Sequence, residues 1–196
     1  MKKDSLYMTE RQHQANRLLR DGDYKSIREM LGRIKDQMPK APILAELDDK
    51  KEIKYWNSED LYEEVMCLGD GLLDLGLGGK HISIVSENCV RYVIADICIS
   101  SGVGVVTPVD VNAPAPLLAM LLEKCDANAV LCGADQLDLI HEVQPKCPLL
   151  QTIITMDRRV DGVPFYDDLV ARGREIGPEG PYRTPAPDLD APARAL

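Results

Sequence analysis

From residue 81 onward, short apolar runs alternate with longer stretches whose apolar positions recur at helical spacing. "HISIVS", "VGVVTPV", "NAVLCG" and "QTIITMD" read as strands. Between and after them, "NCVRYVIADICISSG", "PLLAMLLEKC", "ADQLDLIHEV" and "FYDDLVARGREIG" read as helices. In the first of these, Val90, Val93, Ile94, Ile97 and Cys98 share a face, and Arg91 and Asp96 fall off it. Near-continuous apolar strands separated by helices predict an α/β fold: a mainly parallel sheet with helices on both faces and right-handed crossovers. Val90, Ile94, Ile97, Val105, Val106, Val130, Leu131, Ile153 and Ile154 are expected to be buried together.

Before residue 81 the pattern is sparser. "SIREMLGRI" has helical spacing, and "PILAEL" and "EIKYW" flank "DDKK" as a hairpin with a charged turn. A helix follows, with Ser58 as its cap, Glu59 and Asp60 in the first turn, and Leu61, Val65, Leu68, Leu72 and Leu75 on one face. Gly76 ends it. Gly69 and Gly71 each cost that helix roughly 1 kcal/mol against Ala, so they imply close packing against a neighbour. The stretch "ISSGVGVVTPVD" reads as the end of a crossover helix, a Gly102 cap and a buried strand that Pro108 terminates. Residues 177–196 hold five prolines and read as a linker. The expected organisation is an N-terminal helical segment (1–40), an α/β unit (41–176) and the Pro-rich linker (177–196).

Composition narrows the function classes. The 196 residues are 45% hydrophobic, enough for one sizeable core. A net charge of -9 argues against nucleic acid as a partner. No apolar run approaches the length of a membrane span, and the N-terminus lacks a secretory signal. Six cysteines, at 67, 89, 98, 125, 132 and 147, form no C-x-x-C pair. They read as free thiols in a reducing, cytoplasmic setting.

Several catalytic patterns fail. "GLGGKH" lacks the glycine of a Walker loop at Asp74 and its hydroxyl residue at His81. "HEVQP" has Pro145 where a zincin needs its second histidine, and the three histidines are scattered, so no metal site is expected. Asp157, Asp161, Asp167 and Asp168 read as a solvated acidic loop.

The stretch "ISSGVGVVTPVD" also resembles the second core motif of the adenylate-forming, or AMP-binding, superfamily, commonly "LKAGGAYVPLD". Gly102, Pro108 and Asp110 hold the matching places. "KYWNSEDL", with Tyr55, Ser58 and Leu61, is similar to the first core motif. "LGLGGKHISIVSENCVRYVIADICISSG" is similar to "LGLxxGDRVAIxxxNSxEYVxAxLGxxxAG", and "LLAMLLEKCDANAVLCG" to "ELAYILEDSGAKVLI". The four stand in family order over residues 25–190. The "GKHISIVSEN" form resembles fatty acyl-CoA synthetases, including long-chain members, more than peptide-synthetase domains. Lys80-His81 departs from the usual Gly-Asp-Arg, and "VNAPAPLLAM" has a second proline where acidic residues usually open the helix.

The resemblance implies the first subdomain of the large N-terminal domain of an ATP-dependent, AMP-forming acyl-CoA synthetase. The parent reaction converts a carboxylate, ATP and CoA into acyl-CoA, AMP and pyrophosphate, with Mg²⁺ on the phosphates. "PDLDAPARAL" is similar to the lead-in to the family's "YTSGTTGxPKG" phosphate loop, and the sequence stops at Leu196, where that loop is due. The expectation is therefore an N-terminal fragment, inactive alone, that supplies no catalytic or cofactor-binding residue. Its partner would be the remainder of the synthetase, and its six motif residues are structural. The other reading is a stand-alone α/β module that binds a small ligand or partner at the carboxyl ends of its strands, near residues 86–88, 108–112, 133–135 and 157.

Overall fold

A computed structural model describes residues 24–47 and 50–183. The expectations for the first 23 residues, for Asp48 and Asp49 in the hairpin turn and for residues 184–196 lie outside the described residues. Helix α1 (Ile27–Gln37) begins at Ser26, whose hydroxyl accepts from the Glu29 N–H at 3.1 Å. Strands β1 (Pro42–Leu47) and β2 (Ile53–Asn57) pair antiparallel as the expected hairpin. Helix α2 (Ser58–Asp74) leads into β3 (His81–Val85). Next come α3 (Val90–Cys98), a π-turn (Ile99–Val103), β4 (Val105–Val109) and α4 (Ala115–Lys124). Strand β5 (Ala129–Cys132), α5 (Leu137–Val143), β6 (Thr152–Thr155) and α6 (Tyr166–Ile176) complete the described chain.

The four later strands form one parallel sheet in the order β4-β3-β5-β6. Successive side chains of a strand point to opposite faces, and this splits the core into two layers. Ile82, Ile84, Val106, Leu131 and Ile154 pack with α2, α3 and α6, together with Val90 and Ile94. Val85, Val109, Val130, Cys132 and Ile153 pack with α4 and α5. The single cluster expected from the sequence is thus two, and Ile97 and Val105 are only partly buried. The expectation mixed residues of both parities along the strands.

Two local expectations need correction. The cap of α2 is Asn57, whose Oδ1 accepts from the Asp60 N–H at 2.9 Å. Ser58 is the first helical residue, and its buried hydroxyl donates to the Met38 carbonyl, tying α2 to the end of α1. Nor does Pro108 stop the ladder, because β4 runs on to Val109 in register with Val85. Proline is tolerated because β4 is the sheet edge. The Val105 N–H donates to Lys80 O at 3.0 Å on the β3 side. By alternation the nitrogens of Val106 and Pro108 face outward, and only Val106 presents a donor there.

Helix α2 ends as expected, with Gly76 at φ +82°. Its internal glycines mark close approaches. A Cβ on Gly71 would lie 2.2 Å from the Leu169 carbonyl oxygen, and one on Gly173 would lie 1.8 Å from that of Cys67. The backbones of α2 and α6 are therefore in direct contact. Substituting Gly71→Ala or Gly173→Ala is expected to destabilise the chain by about 2–3 kcal/mol. Gly133→Ala, where a Cβ meets nothing within 4 Å, is expected to be near neutral. Denaturant melts of the three variants measure the contrast.

All six cysteines are free, and Cys67, Cys98, Cys132 and Cys147 are buried. Burial pushes the Cys132 thiol up to about 12 and that of Cys98 higher still. A thiol held protonated does not alkylate. Mass spectrometry after iodoacetamide treatment should find Cys89 and Cys125, both partly exposed, labelled first. Cys98 and Cys132 should be labelled only on unfolding.

Candidate functional site

Every strand of the parallel sheet points its carboxyl end the same way, so the loops that follow the strands gather along one rim. Between the β3 and β4 loops lies an open cleft of about 300 Å³, lined by residues that include Ser86, Asn88, Tyr92, Pro108 and Asp110. The spread of the strands is fixed by their pairing, and the cleft falls where two neighbouring loops diverge. Asp110 shapes its wall: Oδ1 accepts from the Asn112 N–H at 2.9 Å, closing a tight turn after β4.

Along the same rim, the Asp157 carboxylate accepts from the Ala134 N–H at 2.8 Å, joining the loops after β5 and β6. Arg91 reaches across from α3. Its Nη2 donates to both oxygens of Asp167, at 2.7 and 3.0 Å, and its Nη1 donates to the Met156 carbonyl. Asp168 is held by Arg159, which keeps its carboxyl below the usual range. All four acids read from the sequence as solvated are exposed, and three of them, Asp157, Asp167 and Asp168, also make hydrogen bonds to neighbouring elements. Among the described residues, no group of three or more His, Cys, Asp and Glu side chains could hold a metal. No helix of the described residues is long and apolar enough to cross a membrane.

The six motif residues do not converge. Tyr55 lies on the hairpin, 61% exposed, while Leu61, on α2, is buried in the first core layer. Ser58 makes the tie to Met38 already described. Gly102 sits at the amino end of β4, with φ +151°, and a Cβ there would come within 3.2 Å of the Arg28 guanidinium. Pro108 and Asp110 sit at the opposite, carboxyl end. The stretch "ISSGVGVVTPVD" thus runs along the edge strand from the amino end of the sheet to its carboxyl rim, and only its last part borders the cleft. The sequence reading missed Tyr92 as a lining residue; its place in an apolar helix gave no sign of that role.

The glycine turns do not fit a phosphate group. The Gly79 N–H donates to Val103 O at 2.7 Å and the Gly104 N–H to Ile99 O at 3.1 Å, so both amides are used inside the fold. Gly104 also abuts the Lys80 backbone, where a Cβ would lie 2.1 Å from its carbonyl oxygen.

The layered α/β fold, with its four-stranded parallel sheet, is that of the N-terminal domain of adenylate-forming enzymes. A family model described as AMP-binding enzyme matches residues 33–194, and the chain belongs to that family. No curated protein matches it in sequence. Among solved structures, it is similar to the adenylation domain of a carboxylate reductase from Mycobacterium chelonae. The TM-score is 0.71 and the identity 14%, covering 88% of this chain and 32% of that one. It is also similar to the anthranilate CoA ligase AuaEII, solved with anthranoyl-AMP. There the TM-score is 0.69 and the identity 16%, covering 84% of this chain and 30% of that one. Acetoacetyl-CoA synthetase from Streptomyces lividans gives 0.65 and 20%, covering 74% of this chain and 25% of that one. The chain spans a third or less of the length of each. The match to the family does not favour the reading as an unrelated stand-alone module.

Beside the hairpin, Glu64 accepts from the Tyr166 hydroxyl at 3.0 Å. Burial raises the Glu64 carboxyl above its ordinary 4.5, against the smaller pull of that hydrogen bond and of Arg91. The folded chain therefore binds this proton more tightly than the unfolded chain. Stability from Glu64 is full below about 4.5 and falls as pH rises through the raised value. Glu64→Gln is expected to raise the melting temperature at about pH 7 and to have no effect near pH 4. Thermal melts at the two pH values measure the difference.

Proposed function

We propose that the chain is the N-terminal part of an ATP-dependent, AMP-forming acyl-CoA synthetase that activates a fatty acid. What carries the reading is the family match over residues 33–194, laid on a parallel sheet whose carboxyl rim is open. The finer assignment to fatty acids, of the long-chain type, rests on the "GKHISIVSEN" form at β3. In the parent reaction the carboxylate attacks the α-phosphate of ATP and expels pyrophosphate; the thiol of CoA then takes the acyl group and AMP leaves. ATP, Mg²⁺ and CoA would serve the whole synthetase, and the remainder of that enzyme is this chain's partner. We place the work in the cytoplasm, in keeping with the free cysteines.

The domain division follows the same reading: a helical lead-in to residue 40, the α/β subdomain to 176, and a proline-rich linker beyond. The contribution of these residues is architectural. Asn57 and Ser58 anchor α2, Gly102 and Gly104 bring the π-turn against its neighbours, and Asp110 shapes the loop after β4. None of them is in position to stabilise charge on a transferring phosphate.

Loss of a single preorganised donor costs about 3–4 kcal/mol of transition-state stabilisation, and a phosphate cradle uses several. The 196-residue chain expressed by itself is therefore expected to show no acid-dependent ATP–pyrophosphate exchange with short, medium or long fatty acids. It is also expected to bind Mg·ATP no tighter than about millimolar. Radiolabelled exchange and calorimetry measure both. The source gene read past codon 196 should encode an in-frame loop of the TSGTTG type. A stop codon there in independent isolates, or robust exchange surviving repurification, would overturn the proposal.

A further inference from the structure

Past the end of α6 the chain does not trail away. Gly177, at φ +80°, turns it back across α2, and the seven residues to Arg183 lie against three helices. At the centre is Asp70, fully buried in the middle of α2. Its Oδ1 accepts from the Tyr182 N–H at 2.8 Å and its Oδ2 from Arg183 Nε at 3.2 Å. A Cβ on Gly180 would lie 2.2 Å from Oδ2, so only glycine lets the backbone approach this carboxylate. Arg183 is held further by Glu63 at 3.6 Å.

Tyr182 fills a slot, with 1% of its surface exposed. One wall is Gly69, where a Cβ would overlap the ring at 2.3 Å. The Arg28 guanidinium of α1 covers the ring, 4.5 Å from its centroid. At the bottom of the slot the Tyr182 hydroxyl donates to the Cys98 carbonyl at 2.8 Å and lies 2.7 Å from the Ser101 hydroxyl. Both partners belong to the junction of α3 with the π-turn, which sets the start of β4. The π-turn departs from regular helix, with Gly102 at φ +151° inside it, and gains a side-chain contact from outside. That contact comes from a residue about eighty positions later in the chain.

We propose that residues 177–183 form a latch, closed by Asp70 and Tyr182, that fixes where the chain leaves the domain and couples that exit to the π-turn before β4. Opening the latch loosens both at once. The exit of the chain and the strand that borders the cleft are thereby tied to one buried tyrosine. The proposal stands apart from the adenylation reading, since the latch lies wholly within the described residues.

Hydrogen exchange on the full 196-residue chain, without nucleotide, tests it. Asp70→Asn should speed exchange over 177–183 about tenfold or more, a shift of ~1.4 kcal/mol or more in local opening. It should also speed tryptic cleavage after Arg183. Tyr182→Ala should speed exchange over both 177–183 and 98–106. Tyr182→Phe, which keeps the ring and removes the hydroxyl, should speed 98–106 about threefold to tenfold and leave 177–183 close to wild type. In all three, exchange over 129–155 should be unchanged. Asp74→Asn, which breaks an exposed pair with Arg172 on the same two helices, should alter neither segment. Loosening of 177–183 alone in Tyr182→Ala, with 98–106 at wild-type rates, would overturn the coupling. So would equal acceleration over every segment in Tyr182→Phe. If Tyr182→Ala fails to fold, the Tyr182→Phe result decides.

Discussion

Helices α2 and α6 meet backbone against backbone, and the first layer of the fold depends on that contact. Gly71 leaves room for the Leu169 carbonyl, and Gly173 leaves room for that of Cys67. With any side chain at either place the helices would have to move apart, opening the layer that covers Ile82, Ile84, Leu131 and Ile154. Close packing of the interior means such a gap is not filled by neighbours without cost. The contact seats Tyr166 fully in the core, where its hydroxyl meets Glu64. Beyond α6 the chain turns at Gly177 and returns to α2 at Asp70. An interaction between segments about a hundred residues apart in sequence thus fixes the sheet's cover.

The rim of the sheet is built on different principles. Its loops are tied by charge-assisted hydrogen bonds: Asp157 to the Ala134 amide, and Arg91 to Asp167 and the Met156 carbonyl. The pairs Arg158–Asp135 and Arg159–Asp168 are solvent-exposed, and pairs of that kind contribute little to stability. Their effect is on loop geometry. The cleft opens between the loops that follow β3 and β4. At the β4 edge, Pro108 removes a donor from the exposed ladder, which discourages pairing with a stray strand.

Membership of the AMP-binding family and the open carboxyl rim agree on the kind of enzyme this chain belongs to. The glycine turns are occupied in holding strands and helices together; among the motif residues, Ser58 ties α2 to α1, Leu61 packs in the core and Asp110 closes a turn. A family motif can be read here as a record of fold geometry. Gly102 tolerates a backbone conformation that other residues avoid, and Asp110 closes a turn.

Much of the local structure was determined by the sequence. Apolar periodicity located every described strand and helix from β3 onward, because a strand buried on both faces must be apolar at nearly every position. Gly76 marked the end of α2, and the paired glycines within that helix marked a close neighbour without naming it. Four ordered motifs indicated the family. What the sequence could not decide was which partners distant segments would find. Asn57 rather than Ser58 caps α2 because Ser58 is drawn to the Met38 carbonyl, a contact between elements. Pro108 stays in the ladder because β4 became an edge, and strand order is a property of the whole sheet. Nothing in the sequence around Asp70 names its partners. Only the tertiary structure brings Gly180, Tyr182 and Arg183 to it, because a buried carboxylate needs donors and the fold supplies them from the far end of the chain.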